Sequence, residues 1–396
     1  MKVSRRNAIK KTAAGLTSLM IPPQFLRAAE AVKPFGEDYA NLETLTTGEW
    51  WKRPGNLMTP LKNGRKAGPP NLNIPRNQVV VFALYTQQNE VLKLTAQLFP
   101  LKPGEPRQVR LELKFPKEDW KEVAQAEVLY PGWDAHFRIE EWDDSVDVKY
   151  RVRHGEGAKF EGLIRKDPRN KEEIVVANLS CNSSRTTGPR KEIVDNLRKL
   201  NPDLLFFGGD QTYRHTEHTA GWIEFGLQYR DIIRDRPTVA IPDDHDVGHP
   251  NVWGENGKHS SIPGNADGGY KFPVDYVNLV QRQQTWSLPD PVDPAPVNRN
   301  IGVYFTRLTV GKVDFAILED RKFKTGPAGK IPQMGPRPDH INDPSYDPRK
   351  IDLEGLELLG PRQEKFLEEW TEDWTDSDMK CVLSQTAFCG AVHMHG

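Results

Sequence analysis

The stretch "IPDDHDVG" (241–248) sets three carboxylates around one histidine, directly after the apolar run "TVAI". Adjacent like charges repel, and a half-buried carboxylate is costly unless something cationic compensates it. Either Asp243, Asp244, His245 and Asp246 stand in water on a loop, or a bound cation balances them. "GGDQTY" (208–213) poses the same question, because Asp210 leaves an apolar run and Tyr213 follows three residues on. One tight turn can point both side chains inward. A carboxylate with a phenol suits a hard, highly charged cation such as Fe(III), which lowers the phenol pKa enough to bind phenolate. A solvated aspartate beside an interfacial tyrosine is the plainer alternative.

Asp244 can take a second cation, with His245 just outside it as an acid or electrostatic stabiliser near neutral pH. Otherwise Asp243 and Asp246 are turn caps around a satisfied core histidine. Cys181 closes the run "EIVVANLSC"; it is a transition-metal ligand as thiolate and a small buried hydrophobe as thiol. Asp320 and Arg321 close "VDFAILEDR", where Arg321 would clamp an anionic oxygen or pair with Asp320 or a neighbour. These signals are ambiguous singly, but they recur at the polar ends of four successive apolar runs.

The runs themselves set the frame. "EIVVANLSC", "DLLFFGGD", "TVAIPDDHD", "VDFAILEDR" and "KCVLSQT" are continuously apolar, as strands covered on both faces are. Between the first two, Ile193, Val194, Leu197 and Leu200 share one helical face, and Asn201-Pro202 stops that helix. Trp222, Phe225, Tyr229, Ile232 and Ile233 predict a second helix, and Phe366, Leu367, Trp370 and Trp374 a third. This is an α/β layout, whose ligands gather at the carboxyl ends of strands.

Earlier in the chain the period is two. Leu92, Leu94, Ala96 and Leu98 alternate, as do Val109, Leu111, Leu113 and Phe115, and Val146, Val148, Tyr150 and Val152. With Pro-Gly breaks between them, these predict an all-β sandwich. "RKDPRNKEE" (165–173) reads as the connector. Residues 248–300 and 322–360, rich in Gly, Pro and Asn, are expected as long ordered loops, either walls of a pocket or decoration.

The chain has 396 residues and a formal net charge of −1, so whole-molecule charge gives no argument for a nucleic-acid reader or an anionic surface. Hydrophobic content is 37% and mean hydropathy −0.65, and no apolar run is long enough for a transmembrane segment in the mature chain. Three cysteines, Cys181, Cys381 and Cys389, make no disulfide framework. Residues 1–31 read as a targeting segment: Arg5-Arg6 after Ser4, the weakly apolar "TAAGLTSLMIPP", then Ala29-Glu30-Ala31 as a cleavage site. The segment resembles a twin-arginine signal, with Ala8 where an aromatic is usual. Export by the twin-arginine machinery to the periplasm or the exterior is therefore expected.

"GGDQTY" followed by "DDHD", with "SC" upstream and "FAILEDR", "LGPRQEKFLEEW" (359–370) and "VLSQTAF" (382–388) downstream, resembles the metallophosphoesterase superfamily. More narrowly it resembles the PhoD-like alkaline phosphatases. The resemblance implies a signal (1–31), a β-sandwich (32–165) and an α/β metallophosphoesterase-like layered sheet domain (172–396). It implies a phosphomonoester or phosphodiester substrate, cleaved by attack of a metal-bound hydroxide on phosphorus. Fe(III) and Ca(II), or another divalent cation, are the implied cofactors. Asp210 would bridge two metal sites, Tyr213 and Cys181 would bind the iron side, and Asp244, standing where Asn is commoner, the second ion. His245 would approach the leaving group. Asp320 would be a ligand and Arg321 a phosphate contact. Family members carry a later Gly-Asp-x-His or Gly-His-x-His block; His393 and His395 in "CGAVHMHG" follow "VLSQTAF" too soon to be it. The layered domain is accordingly expected to be incomplete. That leaves two alternatives, a non-catalytic exported metal- or phosphate-ester-binding protein and an adhesion module with structural Ca²⁺.

Overall fold

A computed structural model describes residues 33–52, 71–182, 190–248, 251–252, 254–261, 267–332, 335, 342–350 and 352–386. The targeting segment, Cys389, His393 and His395 lie outside the described residues.

The alternating segments form two antiparallel sheets. One has the order β1 (Val80–Gln88), β2 (Val91–Leu98), β5 (Asp134–Ile139). The other has the order β4 (Lys121–Glu127), β3 (Gln108–Lys114), β6 (Val148–His154), β7 (Ala158–Ile164). Leu92, Leu94, Ala96 and Leu98 all face the core, as the period-two pattern dictates. Their polar neighbours Lys93, Thr95 and Gln97 are buried as well. A helix, α3 (Val274–Thr285), and the chain after it cover that face: Gln283 donates to Gln97 Oε1 at 3.1 Å and Lys93 to Asp290 at 3.1 Å.

The continuous runs form two further sheets. β8 (Val176–Leu179), β9 (Leu204–Phe207) and β10 (Thr238–Ala240) pair in parallel with β9 central. β11 (Thr306–Val310) pairs antiparallel with β12 (Val313–Ile317), and β12 parallel with β13 (Met379–Leu383). Side-chain alternation assigns the faces. Leu204, Phe206, Val239 and Ile241 meet Leu308, Val310, Phe315, Ile317 and Leu383 in one cluster between the two sheets. Leu205, Phe207 and Ala240 point the other way, onto α2 (His218–Ile233). Ala316 and Leu318 turn instead toward α3 and α5 (Gly360–Glu372). Both faces of β9, β10 and β12 are covered, which is why their sequences carry no polar alternation, whereas β8 and β13 stay partly exposed.

The first core is shared. Residues of both antiparallel sheets, α2, β9 and β10 form one continuous cluster. Phe82 of β1 meets Trp222 edge-on at 5.3 Å, and a Cβ on Gly226 would lie 2.0 Å from the Phe82 ring.

Three expectations are corrected. α3 interrupts the region expected to be loop. α1 (Lys191–Leu200) buries Val194 and Leu197 but leaves Ile193 and Leu200 exposed, so only half of the apolar stripe is covered by α2. α5 ends at Glu372, where Asp373 turns extended (ψ 101°), and Trp374 is 55% exposed instead of extending the buried face.

Candidate metal centre

The polar residues that follow β8, β9 and β10 converge at one end of the parallel sheet. Asp210 and Cys181 both hold left-handed backbone, with φ of 59° and 57°, a conformation costly for residues with a Cβ and kept only where surroundings fix it. The surroundings are backbone hydrogen bonds: Cys181 N–H to Gly209 O at 3.1 Å and Asn182 N–H to Asp210 O at 2.8 Å. Gly209, at φ 101°, lies flush against the next loop; a Cβ there would come within 2.3 Å of Asp243 Cβ.

Asp246 joins the two loops. Fully enclosed, it accepts the N–H groups of Asp210 (2.7 Å), Thr212 (3.1 Å) and Asp243 (3.0 Å). The capping role anticipated for it is real, and it spans loops. Gln211 adds a second tie, donating to the ends of β9 and β10 through Phe207 O (3.3 Å) and Ile241 O (3.0 Å).

On this frame, Asp210, Asp244 and His245 bring ligand atoms within 4.8 Å of one another, close enough to share one ion. Around Asp210, Tyr213 donates its phenol to Oδ2 at 2.7 Å, Cys181 Sγ lies 3.7 Å from the same oxygen, and the His245 N–H reaches Oδ1 at 3.3 Å. Asp244 accepts the Asn251 N–H. Four expected residues, Asp210, Tyr213, Asp244 and His245, therefore assemble, with Cys181 at the edge.

Two others are placed differently. Asp320 opens the short helix α4 (Asp320–Phe323) and is fully buried. Its carboxylate accepts hydroxyls from Ser384 (3.2 Å) and Thr386, and among the described residues it stands outside the group Asp210, Asp244 and His245 that could share an ion. Arg321 pairs with a neighbour: Nε lies 2.6 Å from Asp243 and Nη2 3.9 Å from Asp244, with Nη1 donating to Val252 O at 3.3 Å. Its charge is spent on the acidic loop.

His215, which no spacing in the sequence marked, completes the arrangement. Its Nε2 lies 2.6 Å from His245 Nδ1, and the two rings are within 23° of parallel, as an in-plane hydrogen bond between imidazoles allows. Tyr213 packs against the His245 ring at 4.2 Å. An N-terminal strap holds the loop that carries His215. Glu43 N–H donates to Thr216 O at 2.7 Å, Leu45 N–H to Glu217 at 2.9 Å, and the Glu43 carboxylate accepts the Thr219 N–H at 3.1 Å.

The electrostatics show a shortage of positive charge. Burial, then Asp244, pushes Asp210 up to about 6. Burial pushes Asp243 up to about 7 despite Arg321. Asp246 is raised well above the carboxylate range by burial and Asp210, although backbone N–H groups oppose the rise. Only Asp244 falls, since Arg321 and the Asn251 N–H outweigh its burial. Burial and the Asp210 charge hold the Tyr213 phenol far above its ordinary value, so it ionises here only beside a strong positive charge. Burial lowers His245. The carboxylates and phenol around Asp210 are donors that fit a hard cation, and the Cys181 thiol beside them is one that a transition ion also accepts. The residues present fit the implied metals.

No family model and no curated protein matches this chain. Solved structures do. One titled "Structure of PhoD" aligns with a TM-score of 0.58 at 15% identity, over 78% of this chain and 62% of that one. A purple acid phosphatase from yellow lupin (Lupinus luteus) seeds aligns at 13% identity over 60% of this chain and 43% of its own, with a TM-score of 0.40. The first likeness shows the fold: this chain is built as the PhoD structure is, and spans about 62% of its length.

Proposed function

We propose that this chain, folded as the PhoD structure is, is a metal-dependent phosphoesterase acting on phosphomonoesters or phosphodiesters. The observation that supports it is the convergence of Asp210, Asp244 and His245 on one point, with Tyr213 and Cys181 beside Asp210. Asp210, Tyr213 and Cys181 would hold one cation, and Asp210 with Asp244 another, the pair implied by the resemblance being Fe(III) with Ca(II) or another divalent cation. Bound there, such cations supply Lewis-acid charge that polarises phosphoryl oxygens and makes water more acidic.

The chain's own residues do the rest. A neutral imidazole has one donor and one acceptor nitrogen. If His215 Nε2 donates to His245 Nδ1, the His245 proton sits on Nε2, and burial keeps the ring neutral. His245 then offers an N–H to the departing ester oxygen without first having to be charged. Tyr213 packs on that ring and His215 holds its Nδ1 edge, so together they fix its orientation. Arg321 holds Asp243 and steadies the acidic loop, while Asp320 holds Ser384 and Thr386.

Asp210→Asn tests the reading. It keeps the side-chain shape and one of the two acceptor oxygens used by Tyr213 and His245 but removes the central charge, and turnover of a chromogenic phosphodiester should fall at least about 100-fold, with the circular dichroism unchanged. Activity near that of the wild type would refute the assignment. Phosphodiester binding without turnover by the wild type would select the non-catalytic alternative. We further propose export by the twin-arginine pathway to the periplasm or exterior, supported by Arg5-Arg6 and the segment that follows. Replacing both by lysine should leave the precursor uncleaved in the cytoplasm.

A further inference from the structure

We infer that the amino ends of β9 and β10 hold a second site, in which Arg165 and Arg236 take one small oxyanion of the phosphate type. Three chain segments meet there: the residue just after β7, the C-terminal cap of α1, and the turn between α2 and β10. Arg165 Nη2 and Arg236 Nη2 both donate to the single neutral oxygen Asn201 Oδ1, each at 3.0 Å. Asn201 is fixed in that place by its left-handed cap geometry, φ 49°, and its N–H bond to Leu197 O.

Arg165 Nη1 also reaches Pro202 O at 3.5 Å, so the two cations are met here only by uncharged oxygens and are underpaired. Arg236 is 5% exposed, and its Nε has no partner among the described residues. The nearby carboxylate Asp235 lies 3.8 Å from a different arginine, Arg234. Arg198, whose charge also reaches Arg236, is engaged with Asp195 and Asp231 at 3.5 and 3.6 Å. A buried guanidinium donor left unbonded costs as much as a lost charged hydrogen bond, and buried arginines are normally matched by carboxylate or phosphate oxygens. Burial and the neighbouring Arg165 push Arg236 down to about 10, as expected where an anion is missing. Arg165, half-buried, opens the pair toward solvent and gives an anion a way in.

The site is independent of the acidic loops. Arg236 and Asp243 stand seven positions apart on either side of β10, up to roughly 23 Å at ~3.3 Å per residue. Substitutions at either place can therefore be read separately.

The experiment titrates inorganic phosphate into chelator-treated full-length protein at constant ionic strength, by calorimetry and by the rise in Tm. Wild type and Asp210→Asn should both show one binding event. Arg165→Gln and Arg236→Lys, each checked for native circular dichroism, should bind phosphate at least about tenfold more weakly. Arg165→Gln, made at the half-buried position, keeps the test open if the buried variant does not fold. A crystal grown in phosphate should show the anion bridging Arg165 and Arg236. Unchanged binding in Arg165→Gln, loss of the event in Asp210→Asn, no binding in the wild type, or ordered water alone between the two arginines would each overturn the inference.

Discussion

At the scale of single residues, the centre is held together by groups of two kinds, and the sequence displayed only one. Asp210, Tyr213, Asp244 and His245 were legible because each stands within a few residues of a strand end, where neighbours in sequence remain neighbours in space. His215 was not, because its partner is 30 positions away and a lone histidine after a loop tyrosine has no periodicity to betray it. Its role is testable. His215→Ala should lower kcat about 10–100-fold with a smaller change in KM, and His215→Gln, which can still donate to His245 Nδ1, should recover part of the loss. An equal effect of both variants, or one confined to KM, would mean that His215 only fills space. The pH dependence of stability follows from Asp210. Its folded pKa, about 6, lies above the ordinary 3.8, so between those values the folded state binds more protons than the unfolded state. In that window its contribution to stability falls as pH rises. Chelated wild type should therefore lose stability relative to Asp210→Asn from about pH 4 to pH 6, and added cations should abolish the difference. Urea unfolding of both proteins across that range checks the sign.

At the scale of elements, the strap over residues 43–45 positions the site although it touches no ligand. Glu43 accepts the Thr219 N–H where α2 begins and also accepts the Thr46 hydroxyl at 3.1 Å. Glu43→Ala should cost about 2 kcal/mol in urea unfolding and speed amide exchange across 213–219. Unchanged exchange there would show that the strap is mere covering. What the sequence concealed at this scale has physical reasons. α3 hides because its buried side carries polar residues, Gln283 against Gln97 of β2 and Gln284 against Gln211, so the apolar period that would announce a helix is diluted. Trp374 misled in the opposite sense. Its spacing from Trp370 continues the stripe of α5 past the residue where the backbone has already turned extended. Half of the α1 stripe is exposed because only one neighbouring helix packs on it, a matter of tertiary placement that the helical period does not encode.

At the scale of the whole molecule, the expected division near residues 165–172 is crossed by shared interior. The first core unites both antiparallel sheets with α2, β9 and β10. Arg282 of α3 grips the fully buried Asp134 of β5 through Nε at 2.9 Å and Nη2 at 2.8 Å. We expect residues 33–386 to unfold in one calorimetric transition, and Arg282→Ala to lower its midpoint by leaving Asp134 with His136 alone, at a cost of about 3 kcal/mol. Two resolved transitions would show that the interface is dispensable.

The carboxylate of Asp246 reaches across to both acidic loops at once. Losing that one carboxylate would loosen the ligands on both sides together, since Asp210 and Thr212 on one loop and Asp243 on the other bond to the same group. Ion uptake at such a place should be abrupt, with partly assembled forms scarcely populated between empty and full.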